Sequence, residues 1–446
     1  MNPESSVSNF AESGASPAIV PARRSRLSRV WLLGFSLAVV AGVWLARESL
    51  RRWITQTATL ANDAPAPDLV EDMIQHAADP RAALLAAWHS GKVVQREVAV
   101  HCLSQVCPLG QPLPAEFEAL LRAAAYDPDL NVRELAFGIL RERNDPTLPA
   151  LAAGLLRDVD PQVRMLGLDQ LKPAAAALGV PLVVPLLDDP DPLIVALSLR
   201  LLENWSGEKF GVKLSETASI ENERTGLQEY PADGYAKARA GAVRAQAWWA
   251  RHRGEFAPTN SVALAAAPGP RDALPAGDFQ LRTLDGRRVR LSDFRGKVVL
   301  VNFWTTWCTA CVGEMPELIA LQREHADNLV ILGVSLDFVP NEHGNLGGEE
   351  AAAEPAAGEA AHDAHAPTAA DFARARAQVA RTVKLRGINY PVLLDEHNEV
   401  GGRFNGGELP TTVLVDARGD VRRRFVGTRS LPVFEAMIAE ASKASP

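Results

Sequence analysis

A 31-residue self-repeat constrains the fold of this chain more than any other feature. Val132, Arg133, Leu135 and Leu140 recur as Val163, Arg164, Leu166 and Leu171, and again as Ile194, Val195, Leu197 and Leu202. A looser early copy carries Arg96, Val98, Ala99 and Leu103. The spacing inside each copy is helical, and a helix pair of this length cannot bury its apolar face alone. A fixed period therefore predicts helix pairs that stack on one another. An acidic-Pro turn announces each block, Asp127-Pro128, Asp160-Pro161 and Asp191-Pro192. Proline suits the first helical turn, and a carboxylate favours the positive end of the helix dipole.

The period resembles that of HEAT-type repeats, though shorter, over residues 68–214. The resemblance implies a surface offered to a protein partner, with a plain spacer as the alternative. A helical linker, 215–275, follows. It contains one more helix, Asp233 to Arg253, in which Trp248 and Trp249 are packing residues, and a Pro/Ala stretch from Ala263 to Pro275. The whole chain has 446 residues, 47% apolar and 22% charged, which allows two or three domains with real cores and excludes disorder throughout. Its net charge of −8 leaves no overall basic face for nucleic acid. Four cysteines are too few for a disulfide-built scaffold.

Val30 to Ala46 is an uncharged run of seventeen residues, about 25 Å as a helix, the short end of a membrane span. Arg23, Arg24, Arg26 and Arg29 precede it with no acid among them. The positive-inside rule then makes 1–29 a cytoplasmic tail, 30–46 a single transmembrane anchor and 47–67 a linker. Everything beyond is expected outside the inner membrane, in the periplasm or its equivalent. A cleaved signal peptide fits less well, because Gly42 to Ala46 supply no good small-residue pair.

From residue 276 the pattern changes to alternating strands and helices. Phe279 to Leu291 reads as a hairpin turning at Asp285-Gly286. Lys297 to Phe303 reads as a buried strand, with further strands at Leu329–Ser335, Val392–Asp395, Thr412–Asp416 and Val421–Val426. Helices are expected at Phe372–Leu385 and Leu431–Ala441. The buried strand leads into Trp304-Thr305-Thr306-Trp307-Cys308-Thr309-Ala310-Cys311, after which a helix begins. A first cysteine at a helix N-terminus has its thiolate stabilised by the dipole and free N–H groups. A second, one turn on, can resolve a mixed disulfide formed by the first. Zinc would require two more ligands at metal spacing, and covalent haem a His where Val312 stands.

Residues 277–441 resemble the thioredoxin-fold domain of TlpA/ResA-type membrane-tethered thiol–disulfide oxidoreductases, within the redoxin/AhpC-TSA superfamily. The resemblance rests on FQLRTLDGRRVRLSDFRGKVVLVNFWTTWCTACVGEMPEL and on Leu409-Pro410-Thr411-Thr412 ahead of a strand. It implies a fold class of transmembrane helix, all-α solenoid and α/β thioredoxin-like domain with a mixed sheet. It also implies a redox-active Cys308–Cys311 disulfide, with Cys308 attacking and Cys311 resolving. Leu409 and a cis Pro410, with Trp307, would form the substrate groove, while Trp304 gives support beneath and Pro316 places a helix kink. Asn302 stands where thioredoxin carries a buried Asp, and Glu314, three residues after Cys311, matches a family Glu. Glu314 is expected to serve as acid/base for Cys311, its pKa raised by burial. A peroxiredoxin is disfavoured because Val301 replaces the motif's Pro and the second Cys follows one turn on.

The implied activity is reduction of disulfides in exported proteins, for example in cytochrome c maturation or copper-site assembly, recharged by a membrane thiol donor and using no cofactor. The alternative from a different class is a scaffold whose repeats bind a partner and whose thioredoxin-like domain merely docks. Replacing Cys308 by Ser separates the two. Residues 341–371 form an acidic Ala/Gly-rich insertion holding seven acids and no Lys or Arg. Its His343, His362 and His365 are weak metal candidates, and a solvated linker is the plainer reading. Cys102 and Cys107 could pair only if their helix ends near Val106, which Pro108 permits.

Overall fold

The computed structural model describes residues 67–212, 220–221, 228–229, 233–256, 274–339 and 368–443. The expected anchor at 30–46 lies outside them. Among the described residues no helix is long and apolar enough to cross a membrane.

The first half is an array of helix pairs: Pro80–His89 with Val93–Val106, Ala115–Ala124 with Leu130–Glu142, and Leu148–Leu155 with Pro161–Leu171. Ala176–Val183 then leads into Pro192–Ser206, and Gly234–His252 packs on that last helix. One continuous core runs through them, from Val70 to Trp248. Trp248 stacks on His252 and meets Phe210 edge-on, so it is a packing residue.

The turns differ from the Asp-Pro reading in one respect. The helix after Pro128 begins only at Leu130, and its N-cap is Asp129, so Pro128 stands outside the helix. The repeating unit is instead Asp-x-Asp, at Asp127/Asp129, Asp158/Asp160 and Asp189/Asp191. In each turn the first carboxylate accepts the second residue's N–H at 2.9 Å. The second carboxylate accepts a first-turn N–H of the following helix. That caps the helix and satisfies donors the helix cannot. The repeat arginines close the ladder from the neighbouring pair: Arg96 on Asp127, Arg133 on Asp158 at 3.4 Å and Arg164 on Asp189 at 2.8 Å. Apart from the half-buried Asp158 these are buried charges, and they persist because each has a partner.

A small hairpin, β1 (Ile220–Glu221) with β2 (Gln228–Glu229), precedes the second half. There, β3 (Leu274–Pro275), β4 (Gln280–Thr283), β5 (Arg288–Arg290), β6 (Val298–Trp304), β7 (Leu329–Ser335), β8 (Val392–Leu394), β9 (Thr411–Val415) and β10 (Asp420–Val426) form one sheet. Their order is β3-β10-β9-β6-β7-β8-β4-β5. β6 pairs in parallel with β7 and antiparallel with β9, and every one of its residues is buried. β3 lies inside the stretch read as linker up to Pro275; it pairs with β10 as an edge strand, where proline is tolerated. Helices Thr309–Glu324 and Leu431–Lys443 pack on one face of the sheet, over a core that includes Trp304, Met315, Phe425 and Phe434. Phe279, Phe303 and Phe404 fill the other face.

Helix Ala369–Arg386 starts three residues before the expected Phe372, inside the segment read as insertion. Thr368 caps it in a reciprocal box with Asp371. The remainder of the insertion, with His343, His362 and His365, lies outside the described residues. Among the described residues no cluster of three or more His, Cys, Asp or Glu could hold a metal.

Array and sheet meet through three arginines of the thioredoxin-like half. Arg424, 1% exposed, donates to both oxygens of Asp129 at 3.0 and 3.1 Å and to the carbonyls of Phe404 and Asn405. Its backbone N–H donates to the carbonyl of Pro128 at 2.9 Å. Arg423 reaches Asp158 at 2.9 Å, and Arg429 clamps Asp160. Burial pushes the Asp158 carboxyl upward, but Arg423 and Arg133 hold it below the usual carboxylate range.

Candidate functional site

β6 carries the chain to the site. Its apolar run forces it into the centre of the sheet, and it ends at Trp304, directly before the Thr305–Trp307 turn. Asp337, fully buried, fastens that turn: its carboxylate accepts the Thr306 N–H at 3.0 Å and hydroxyl at 2.5 Å, and the Ser335 hydroxyl at 2.8 Å. Burial pushes the Asp337 carboxyl up, against these hydrogen bonds.

Helix Thr309–Glu324 begins at the turn's end with Cys308 as its N-cap. The Cys308–Cys311 disulfide is closed, with Cα atoms 5.2 Å apart, and Cys308 Sγ accepts the Cys311 N–H at 3.1 Å. A first-turn N–H thus already points at the sulfur that would carry charge as a thiolate. Cys308 is 9% exposed and Cys311 3%, so attack from outside reaches Cys308 first. Trp307, 45% exposed, stands beside it. Trp304 is buried against Tyr390 over Gly333, where a Cβ would come within 3.2 Å of Trp304 Nε1 and 3.0 Å of the Tyr390 ring. The Leu409–Pro410 peptide is cis, and Leu409 packs at the edge of the cluster that contains both cysteines. Pro316 sits on the exposed side of the helix, which continues across it.

Glu314 is 1% exposed and lies on the turn after Cys311. Its Oε1 accepts the backbone N–H of Arg429 at 2.7 Å, and its Oε2 faces Asn302 Nδ2 at 3.4 Å. Asn302 is in turn fixed by Thr412 Oγ1 at 3.1 Å. Burial pushes the Glu314 pKa up to about 8, with the Arg429 N–H and charge and the Asn302 amide acting the other way. A carboxyl poised in that range can take or give a proton near neutral pH.

The structure therefore brings Trp304, Trp307, Cys308, Cys311, Glu314, Leu409 and Pro410 together. Cys102 and Cys107 stand apart in the array core, buried and unpaired with each other although their helix does end at Val106. Burial pushes the Cys102 thiol up to about 11. A cavity of about 750 Å³ opens on the array, lined by Met165, Leu197 and Arg200 among others, away from the dithiol. Sequence reasoning passed over Arg429. Its signal was weak, since an arginine in a loop after a strand has no distinguishing pattern.

A closed Cys-x-x-Cys disulfide capping a helix beside a cis-proline loop, on a thioredoxin-like sheet, defines a thiol–disulfide oxidoreductase. Residues 272–424 match the AhpC/TSA family. ResA, a thiol–disulfide oxidoreductase of Geobacillus kaustophilus, is 30% identical over 156 residues, covering 34% of this chain and 68% of that one. The thioredoxin-like protein YneN of Bacillus subtilis is 29% identical over 160 residues, 36% of this chain and 74% of its own length. A thioredoxin-family thiol:disulfide interchange protein from Chlorobium tepidum has a solved structure with 24% identity and a TM-score of 0.28, covering 38% of this chain and 97% of that one. Through its C-terminal domain the chain belongs to the TlpA/ResA-type thiol–disulfide oxidoreductases.

Proposed function

We propose that this oxidoreductase works as a reductant of disulfides in exported proteins, held at the inner membrane by residues 30–46 with its described domains on the periplasmic side. The Cys308 thiolate attacks a substrate disulfide, forming a mixed disulfide and releasing one substrate thiolate. Glu314 accepts the proton of Cys311, whose thiolate then attacks Cys308 Sγ, closing the Cys308–Cys311 bond and breaking the mixed disulfide. The second substrate sulfur leaves as a thiolate that can take the proton back from Glu314. Two electrons pass to the substrate, and a membrane thiol donor must return two to reopen the pair. Trp307, Leu409 and Pro410 border the attack site and select substrate segments that lie across it. Maturation of cytochrome c or assembly of a copper site would supply such substrates, since both need free cysteines in an oxidising compartment.

The observation that carries this reading is the pairing of the Cys308–Cys311 disulfide with a buried, protonatable Glu314 one turn along the same helix. The test is the reduction potential of the full chain. A value near or below roughly −250 mV is expected of a reductant that needs a dedicated donor. A value of roughly −120 to −180 mV would mark an oxidant or isomerase and reverse the direction.

A further inference from the structure

The turn after β10 joins three parts of the molecule that are remote in sequence. Gly427 N–H donates to the carbonyl of Pro410 at 2.8 Å. Arg429 N–H donates to Glu314 Oε1 at 2.7 Å. The Arg429 side chain meanwhile leaves the thioredoxin-like domain: Nε and Nη2 each lie 3.0 Å from an oxygen of Asp160, the cap of the array helix Pro161–Leu171. Its Nη1 donates to the carbonyls of Val426, Gly427 and Thr428 at 3.1 to 3.3 Å, and its guanidinium lies 4.5 Å from the centre of the Phe425 ring. Arg429 and Asp160 are both buried.

An uncompensated buried cation at this place would favour the ionised form of Glu314 and work against its use as a proton acceptor. The structure supplies the compensation from the helical array. We propose that Asp160 is a positioning residue of the redox centre: by neutralising Arg429 it lets the turn hold Glu314 by hydrogen bond without holding it ionised, so that the array sets the protonation of the group beside Cys311. The inference rests on Glu314 serving as the acid/base of the dithiol. The other groups around Glu314 do not supply this balance. Asn302 and the buried phenol Tyr390 are neutral, and the cysteines are joined as a disulfide. Glu317, on the same helix, also pushes the Glu314 carboxyl up by its negative charge, but the carboxylate paired with Arg429 is Asp160.

The experiment is the pH dependence of the reduction potential of the full chain, whose slope changes where a group linked to the disulfide titrates. Asp160→Asn leaves the Arg429 charge uncompensated and is expected to move the Glu314 break down by about one pH unit. Arg429→Gln leaves the Asp160 charge uncompensated and should move it up by about as much. The double variant, with neither charge, falls between them, and Asp160→Glu restores the wild-type break. The opposed shifts distinguish a charge effect from loosening of the turn, which would displace the break in one direction in both single variants. If Asp160→Asn fails to fold, Arg429→Gln and the double variant still decide, because the proposal requires the double to lie below Arg429→Gln. Glu314→Gln should remove the break altogether. If the break survives in Glu314→Gln, the acid/base reading and this proposal fall together. If it vanishes there, yet the charge variants coincide with wild type or shift the same way, Glu314 keeps its role and the coupling to the array is overturned.

Discussion

Glu314 shows how one residue's environment decides its chemistry. Its position in the first turns of a helix would by itself suit an exposed acid, and only the resemblance implied burial beside Cys311. The fold buries it one turn after Cys311, with Asn302 and the Arg429 N–H as hydrogen-bond donors. Because its pKa is raised to about 8 in the folded chain, the native state binds a proton that the unfolded chain has already released above about pH 4.5. Stability attributable to this group is therefore fully present below that value and is lost as pH rises toward 8. Urea midpoints of the oxidised protein should fall across that window by the equivalent of a few kcal/mol. Glu314→Gln, neutral at every pH, should be flat there; equal slopes for the two proteins would show that the carboxyl titrates normally.

At the scale of elements, the periodic apolar spacing and the strand runs were readable because each is dictated locally, by a face that must be buried. Strand Leu329–Ser335 stands where its apolar run places it, and the hairpin turns at Asp285-Gly286, with Gly286 at φ +82°. The edges were less legible. Leu274–Pro275 has no strand signal of its own and exists as β3 only because β10 offers a partner. The caps were misassigned in the Leu130 repeat because Asp-Pro is a familiar helix opening, whereas here Asp-x-Asp does the capping. Close packing between elements is equally invisible in one dimension. A Cβ on Gly179 would lie 2.3 Å from the Trp205 ring, which is held by its Nε1–H donating to the Ala174 carbonyl at 3.0 Å. Helix propensity alone favours Ala over Gly by about 1 kcal/mol. Overpacking should reverse that sign, so Gly179→Ala is expected to destabilise the chain by about 1–2 kcal/mol in denaturant titration. A stabilised variant would mean that the indole can move aside.

At the scale of the molecule, the contacts of Arg423, Arg424 and Arg429 with Asp158, Asp129 and Asp160 join the array to the thioredoxin-like domain. Arg424 is the most deeply placed, and Arg424→Met would strand the Asp129 carboxylate in the interface. The expected cost is about 3–5 kcal/mol in global stability by urea unfolding. Adding Asp129→Asn should recover much of it, since removing both charges avoids the stranded one. A loss below about 1 kcal/mol would show that the interface does not hold the two parts together.

What the sequence by itself determined is whatever local chemistry dictates: stacked helix pairs from a 31-residue period, a buried central strand from an apolar run, and a dithiol from two cysteines one helical turn apart. Tertiary structure alone decided that the capping aspartates of the array also receive arginines from more than 260 residues away, as Asp160 receives Arg429. The same acid serves as a helix cap, a salt-bridge partner and a neighbour of the redox centre. Inside the array the repeat carries its own arginine–aspartate ladder. Pairing between array and sheet acts through space and leaves no periodic trace, so nothing along the chain marks which arginine of the thioredoxin-like half meets which array carboxylate.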